Sequence, residues 1–245
     1  MVQAVEISPK HVIAVLSVDD MLHGTIQLYD LFTGLMLREW RLPQGWVEFD
    51  RDRGIAWNGD GALLAVAVPN ETPCNGPTNE PDVFIYEAAS GYLIQRIHTG
   101  LLVGGIAIAD GHLLAVDENC FGVFKNHHPK LRMFDLKTGR HVKDITNGES
   151  GVRYVVAVSR DGTRFLAYTG KIDQRFDWGD GVPVQYTVYD AFTVWSAISY
   201  SELVSVQKIP DPVFPNSIDL RIGPSGRSAV SLAPGGASIF FFPNN

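Results

Sequence analysis

The sequence predicts an all-β chain, a β-propeller of about five blades of four antiparallel strands with the last blade incomplete. Three observations carry that expectation: a motif that recurs along the chain, glycine and proline clusters that punctuate short apolar runs, and second strands that are apolar on both faces.

The motif is a strand, a polar turn, an apolar strand, a variable connection, an aromatic strand with an acidic end, then Thr-Gly or Ser-Gly and a further strand. In the first copy Ser8-Pro9-Lys10-His11 precedes Val12 to Ser17, and Ile26-Gln27-Leu28-Tyr29-Asp30 leads to Thr33-Gly34. The second has Asn58-Gly59-Asp60-Gly61, Leu63-Leu64-Ala65-Val66, Val83-Phe84-Ile85-Tyr86-Glu87 and Ser90-Gly91. The third runs Ala109-Asp110-Gly111, Leu113-Leu114-Ala115-Val116, Leu131-Arg132-Met133-Phe134-Asp135 and Thr138-Gly139.

A looser fourth copy has Ser159-Arg160-Asp161-Gly162, Phe165-Leu166-Ala167-Tyr168 and Thr187-Val188-Tyr189-Asp190, with Val194 where glycine is expected after Thr193. The fifth keeps Gly223-Pro224-Ser225-Gly226, Ala229-Val230-Ser231-Leu232 and a third strand over Ile239 to Phe242. Acidic ends at positions 30, 87, 135 and 190 recur roughly every 50 residues, near the period of four-stranded blades. The expected blades are roughly 1–43, 44–100, 101–147, 148–212 and 213–245, all in one domain.

Each element has a physical reason. Asp-Gly or Ser-Gly closes the first tight turn and Thr-Gly the third, because glycine adopts positive φ without steric cost. Second strands such as Leu64-Ala65-Val66-Ala67 are apolar on both faces because a blade is sandwiched between neighbours and narrows toward the axis. The fifth copy lacks a fourth strand, and Val2 to Ile7 are already required as the first strand of blade one. An open edge at Ile239 to Phe242 invites aggregation, so the expectation is a three-stranded last blade sealed by contact with blade one, in preference to a partner chain or further sequence.

These residues resemble the bacterial WD40-like and YVTN-type propeller repeats across essentially the whole chain, which implies a ring of blades and specifies no activity. The chain departs from eukaryotic WD40 repeats, since no Trp-Asp dipeptide closes a third strand and Gly111-His112 lies in the wrong turn. A hydrogen-bonded His/Ser/Trp/Asp network is therefore not expected.

Composition narrows the partners. The net charge of −7 gives no basic footprint for nucleic acid and is repelled by an anionic membrane surface. No apolar run approaches the ~18 residues that span a bilayer, and Met1 to Pro9 lacks the build of a signal peptide, so a cytoplasmic monomer is expected. Cys74 and Cys120 do not make a disulfide framework, although they fall on equivalent connections of adjacent blades, where one bridge is conceivable in an oxidising compartment.

Function is expected on the face where the longest connections gather, over 69–82, 117–130 and 170–185. The first holds four prolines and reads as a stiffened lip. The second carries Asp117, Glu118, Cys120, Phe121, Phe124, His127 and His128, titratable groups mixed with aromatics. The third carries Asp173, Arg175, Phe176, Asp177, Trp178 and Asp180, a Trp beside an Arg of the kind that anchors interfaces. Trp46, between blades one and two, adds another aromatic. Glu118, Phe121, His127, His128, Arg175, Asp177, Trp178 and Trp46 are the candidate binding residues. The same side chains read more plainly as blade caps and solvated charge, with Phe121, Phe124 and Trp178 folded onto the blades.

No catalytic, metal or cofactor site is assigned. The cysteines and neighbouring histidines lack the paired spacing of structural zinc, and the aspartates near Trp178 lack the terminal Glu of an EF-hand. G-x-S-x-G, H-E-x-x-H and phosphate-binding glycine motifs are absent from the sequence. The expected function is a non-catalytic module binding a protein or peptide. The alternative is a propeller enzyme, either a hydrolase using Asp117, Glu118, Asp173 and Asp177 or a metal, or a quinone-dependent dehydrogenase, whose repeat Tyr29 to Gly34 with Arg38 and Trp40 resembles.

Overall fold

The computed structural model describes residues 1–21, 23–45, 54–68, 83–100, 103–117, 131–145, 150–159, 161–177, 183–207, 219–222, 227–233 and 236–242. All of its regular structure is β, in five antiparallel sheets whose strands pair in chain order. The first sheet is β1 (Val2–Ile7), β2 (Val12–Val18), β3 (His23–Asp30) and β4 (Met36–Gly45). The second is β5 (Ile55–Trp57), β6 (Leu63–Ala67), β7 (Val83–Glu87) and β8 (Tyr92–Ile97). The third is β9 (Val103–Ala109), β10 (His112–Asp117), β11 (Leu131–Asp135) and β12 (His141–Asp144). The fourth is β13 (Ser150–Val158), β14 (Arg164–Asp177), β15 (Pro183–Ser196) and β16 (Glu202–Gln207). The fifth has three strands among the described residues, β17 (Asp219–Ile222), β18 (Ser228–Ala233) and β19 (Gly236–Phe241).

Successive sheets meet through their first strands: β1 touches β5, β5 touches β9, β9 touches β13 and β13 touches β17. Face-to-face stacking gives each inner sheet two apolar faces, which the period of two separates cleanly along β6. Leu64 and Val66 pack toward the first sheet with Leu16 and Ile26, while Ala65 and Ala67 pack toward the third with Ile106 and Leu113. Complete burial of a side chain such as Leu64 contributes about 2 kcal/mol. Between the third and fourth sheets Phe165 stacks on Trp195, ring centroids 5.3 Å apart.

The first turn of the first, second and fourth sheets is held by one side chain that replaces missing ladder bonds. Ser8 Oγ accepts from the backbone N–H of Lys10 and Val12, Asn58 Oδ1 from Ala62 and Leu63, and Ser159 Oγ from Arg164. Positive φ follows at Gly61 and Gly162, but in the first sheet His11 takes it, with φ of 63°. The third sheet uses the tighter two-residue form, with Asp110 and Gly111 both at positive φ.

The third turn corrects the reading of the fourth copy. Asp30 Oδ1 accepts from Phe32 N, Thr33 N and Thr33 Oγ1, and Asp135 Oδ1 accepts from Thr138 in the same manner. Glycine N–H then closes the turn onto the acidic residue's carbonyl in Gly34→Asp30, Gly91→Glu87 and Gly139→Asp135. In the fourth sheet the equivalent bond is Tyr200 N–H to Ser196 O, and Ser196 Oγ accepts from Ile198 and Ser199. The strand end is therefore Ser196 rather than Asp190, and Tyr200, with φ of 57°, stands in the glycine position. Val194 was never a turn residue; it is buried in mid-strand.

Two further expectations change. The segment 170–185, read as a loop, is mostly strand, because β14 and β15 continue pairing out to Asp177↔Pro183. Among the described residues the last sheet has three strands, and Ile239 and Phe241 on β19, like Val5 and Ile7 on β1, are exposed rather than packed at the expected seal.

Candidate functional site

Neighbouring first turns touch one another and so define one rim of the stack. A Cβ on Gly61 would lie 3.4 Å from Lys10 Cγ, and one on Gly162 would lie 3.3 Å from Asp110 N. In an antiparallel meander the second hairpin of every sheet points the opposite way, so the connections after β2, β6, β10 and β14 share the other rim, together with the connections between sheets.

On that rim the fourth sheet carries an arm. Pairing between β14 and β15 passes an irregularity at Thr169/Gly170, which leaves Asp190 unpaired between Ala191 and Tyr189, and continues for seven more residues of β14. At about 3.3 Å per residue the hairpin projects roughly 20 Å beyond the sheet. Arg175 sits at a second irregularity, between Gln174 and Phe176, and Asp177 pairs with Pro183 at the tip. Bulges of this kind re-aim the strand locally and are common beside functional positions.

Arg175 and Asp177 are thus brought together on one extended hairpin, where the sequence had placed a loop. Asp173 pairs with Tyr186 on the same arm. Asp117 closes β10, opposite Val103. Trp46, Glu118, Phe121, His127, His128 and Trp178, with Cys74, Cys120 and Phe124, lie outside the described residues.

The described part of the same rim in the first sheet is the connection Asp19 to His23. Asp19 Oδ1 accepts from the N–H of Met21 and of His23, each at 2.9 Å, and Oδ2 lies 3.2 Å from His23 Nδ1. These bonds, that from the His23 backbone foremost, hold the Asp19 carboxyl below the usual carboxylate range. Met21 stands fully outward from this turn. Among the described residues no three His, Cys, Asp or Glu side chains are grouped to hold a metal ion, and no helix is long and apolar enough to cross a membrane.

Sequence reasoning missed a set of latches near the outer edges of the sheets. At register-equivalent positions of the fourth strands, Arg38 Nη1 donates to Ser90 O at 3.0 Å, Gln95 Nε2 donates to Lys137 O at 3.1 Å, and Lys143 Nζ lies 4.8 Å from the centre of the Tyr200 ring. Each reaches from one sheet to the third turn of the next. A polar residue at the middle of each fourth strand was the available signal, but strand alternation alone reads it as solvated surface.

No protein-family model matches the chain, and no curated protein matches it. Solved structures match widely, 658 chains in all, so the sheet arrangement is common and singles out no activity. One is hydrazine synthase from Kuenenia stuttgartiensis, with a TM-score of 0.62 and 12% identity over 94% of this chain. The chain spans 61% of the length of that chain. At such identity the likeness concerns fold: an all-β arrangement of four-stranded antiparallel sheets.

Proposed function

We propose that this chain is a five-bladed β-propeller serving as a non-catalytic binding module, and that it takes a protein or peptide on the rim formed by the second hairpins and the connections between blades. Support for the propeller comes from the chain-order meanders, their contacts through successive first strands, and the likeness to a propeller-containing protein. The single observation that carries the binding reading is the arm of β14 and β15. The repeat does not need it for packing, it doubles the length of ordinary strands here, and it carries Arg175 and Asp177 in its outer part.

An extended arm whose sequence runs Arg175, Phe176, Asp177, Trp178 suits a partner that offers an apolar pocket bordered by acceptors. The test is selection of peptides from a displayed library against the full chain, followed by calorimetry of the best binder. Trp178→Ala abolishes binding under this reading, at a cost of more than about 2 kcal/mol for a central anchor, whereas Asp177→Asn changes it little. A stoichiometric metal in elemental analysis, or a chromophore in the ultraviolet-visible spectrum of native protein, would instead establish cofactor chemistry and replace the module with an enzyme.

A further inference from the structure

Asn58-Gly59 opens the first turn of the second sheet. Asparagine before glycine is the pair most prone to losing its side-chain amide, because glycine has no side chain to obstruct the approach of its own nitrogen and leaves the backbone free to adopt the reactive shape. In this turn that freedom is withheld. Asn58 Oδ1 accepts from Ala62 N–H at 2.9 Å and from Leu63 N–H at 2.8 Å, while Asn58 N–H donates to Leu63 O at 3.1 Å and Gly61 N–H donates to Asn58 O at 3.0 Å. Asn58 is half-buried, and Gly61, with φ of 65°, lies against the first turn of the neighbouring sheet, where an added Cβ would sit 3.4 Å from Lys10 Cγ.

We propose that Asn58 is a spontaneous modification site gated by the opening of this turn. The Gly59 nitrogen, having lost its proton to solvent, attacks Asn58 Cγ; the new N–C bond forms, the Cγ–Nδ2 bond breaks, and Nδ2 leaves as ammonia after taking up a proton. Water then opens the cyclic imide at either carbonyl and leaves aspartate or isoaspartate. Turning Cγ toward the Gly59 nitrogen takes Oδ1 away from Ala62 and Leu63, so the open turn reacts and the closed one protects. With each hydrogen bond contributing a modest net stabilisation, the turn is open in about one molecule in a hundred.

The products act on the same contacts. Ala62 N–H is shared with Asp60 Oδ1 at 2.8 Å, so the aspartate product sets a second carboxylate beside the first on one donor. Isoaspartate adds a methylene to the main chain and shortens the side chain by one, which withdraws the acceptor from Ala62 and Leu63. Either product loosens the turn, and neither reverts, so the site keeps a one-way record of opening. Ser8 and Ser159 hold the equivalent turns of the first and fourth sheets through a hydroxyl, which has no amide to lose.

Peptide mapping by mass spectrometry tests this on the full chain, incubated in mildly alkaline buffer with and without guanidinium chloride. It resolves Asn58 from the other Asn-Gly pairs of the sequence, Asn75-Gly76 and Asn147-Gly148. Asn58 converts about a hundredfold more slowly in the native chain than in denaturant, in step with hydrogen exchange at the Ala62 and Leu63 amides. Gly61→Ala, which strains the turn, speeds both exchange and native conversion about fivefold, and Asn58→Ser removes the conversion while keeping the turn closed. If circular dichroism shows Gly61→Ala unfolded, the wild type in subdenaturing guanidinium chloride supplies the same comparison. Equal conversion rates in native and denatured chain, or a native rate that stays fixed while exchange at Ala62 and Leu63 rises, would overturn the proposal.

Discussion

Gly34 and Gly91 occupy equivalent turn positions, with φ of 69° and 73°, and differ in what surrounds them. Alanine at either position meets the same left-handed backbone strain, about 1 kcal/mol. At Gly34 the cost ends there, because the new methyl faces open space. At Gly91 the methyl lies 3.1 Å from both Arg38 Cδ and Trp40 Cε3, inside the ~3.5–4.0 Å of ordinary carbon contact. Arg38 can swing aside at the loss of its bond to Ser90 O. Trp40 is held against Tyr86, ring centroids 5.3 Å apart, and must shift within a packed junction. Overpacking of that kind adds roughly 1–3 kcal/mol, so Gly91→Ala costs about 2–4 kcal/mol against about 1 for Gly34→Ala. Urea unfolding followed by tryptophan fluorescence measures both. With an m-value near 2 kcal/mol/M, the midpoints fall by about 1–2 M and about 0.5 M respectively. Equal losses in the two variants would refute the view that the fourth strand of one sheet latches onto the turn of the next.

Other outcomes follow from the same geometry. Tyr86 is buried against Trp40, and desolvation pushes its pKa up to about 12 despite the nearby Arg96 and the Trp40 side chain. The unfolded chain releases this proton near pH 10 while the folded chain retains it, so stability falls as pH rises from 10 to 12; Tyr86→Phe removes that slope, as a chemical-denaturation series across pH will show. Phe165→Ala removes the ring stacked on Trp195 and destabilises by about 3–5 kcal/mol in the same assay, with near-ultraviolet dichroism reporting the lost stack. Bonds from the backbone and hydroxyl of Thr33 hold the Asp30 carboxyl below its ordinary range, and Thr138 does so for Asp135. Their contribution is complete above the unfolded carboxylate pKa and is lost as pH falls through the folded one. Asp30→Ala and Asp135→Ala therefore lower stability at neutral pH and converge with wild type once the pH has fallen through the lowered folded-state value.

Most of the strand order was legible because the repeat imposes it: short apolar second strands between turn residues appear four times with little drift. The fourth copy was misread because Asp190 follows an aromatic and precedes Thr193, imitating the Asp30-to-Thr33 spacing. The true turn uses Ser196 and Tyr200, which lack the acidic and glycine signatures that mark the other three. The arm was read as loop since Gly170, Asp173, Gly179, Asp180 and Gly181 look like turn residues, yet cross-strand pairing from Ile172↔Thr187 outward makes strand of them as far as Asp177. The face of each sheet that meets its neighbour could be assigned by alternation. The exposure of Ile239 and Phe241 could not, because register says which side chains share a face and not whether two faces meet.

Among the described residues, stacking through first strands also makes the molecule a series in which each sheet has its substantial contacts with the sheets next to it in chain order. A change in the length or composition of the β14–β15 arm need not be felt at Leu64, two junctions away, because no strand of the second sheet is among the substantial contacts of β14 or β15. Such an architecture separates the inheritance of its core from that of its rim: hairpins can lengthen, shorten or change tip chemistry one sheet at a time while the neighbouring junctions keep their fit.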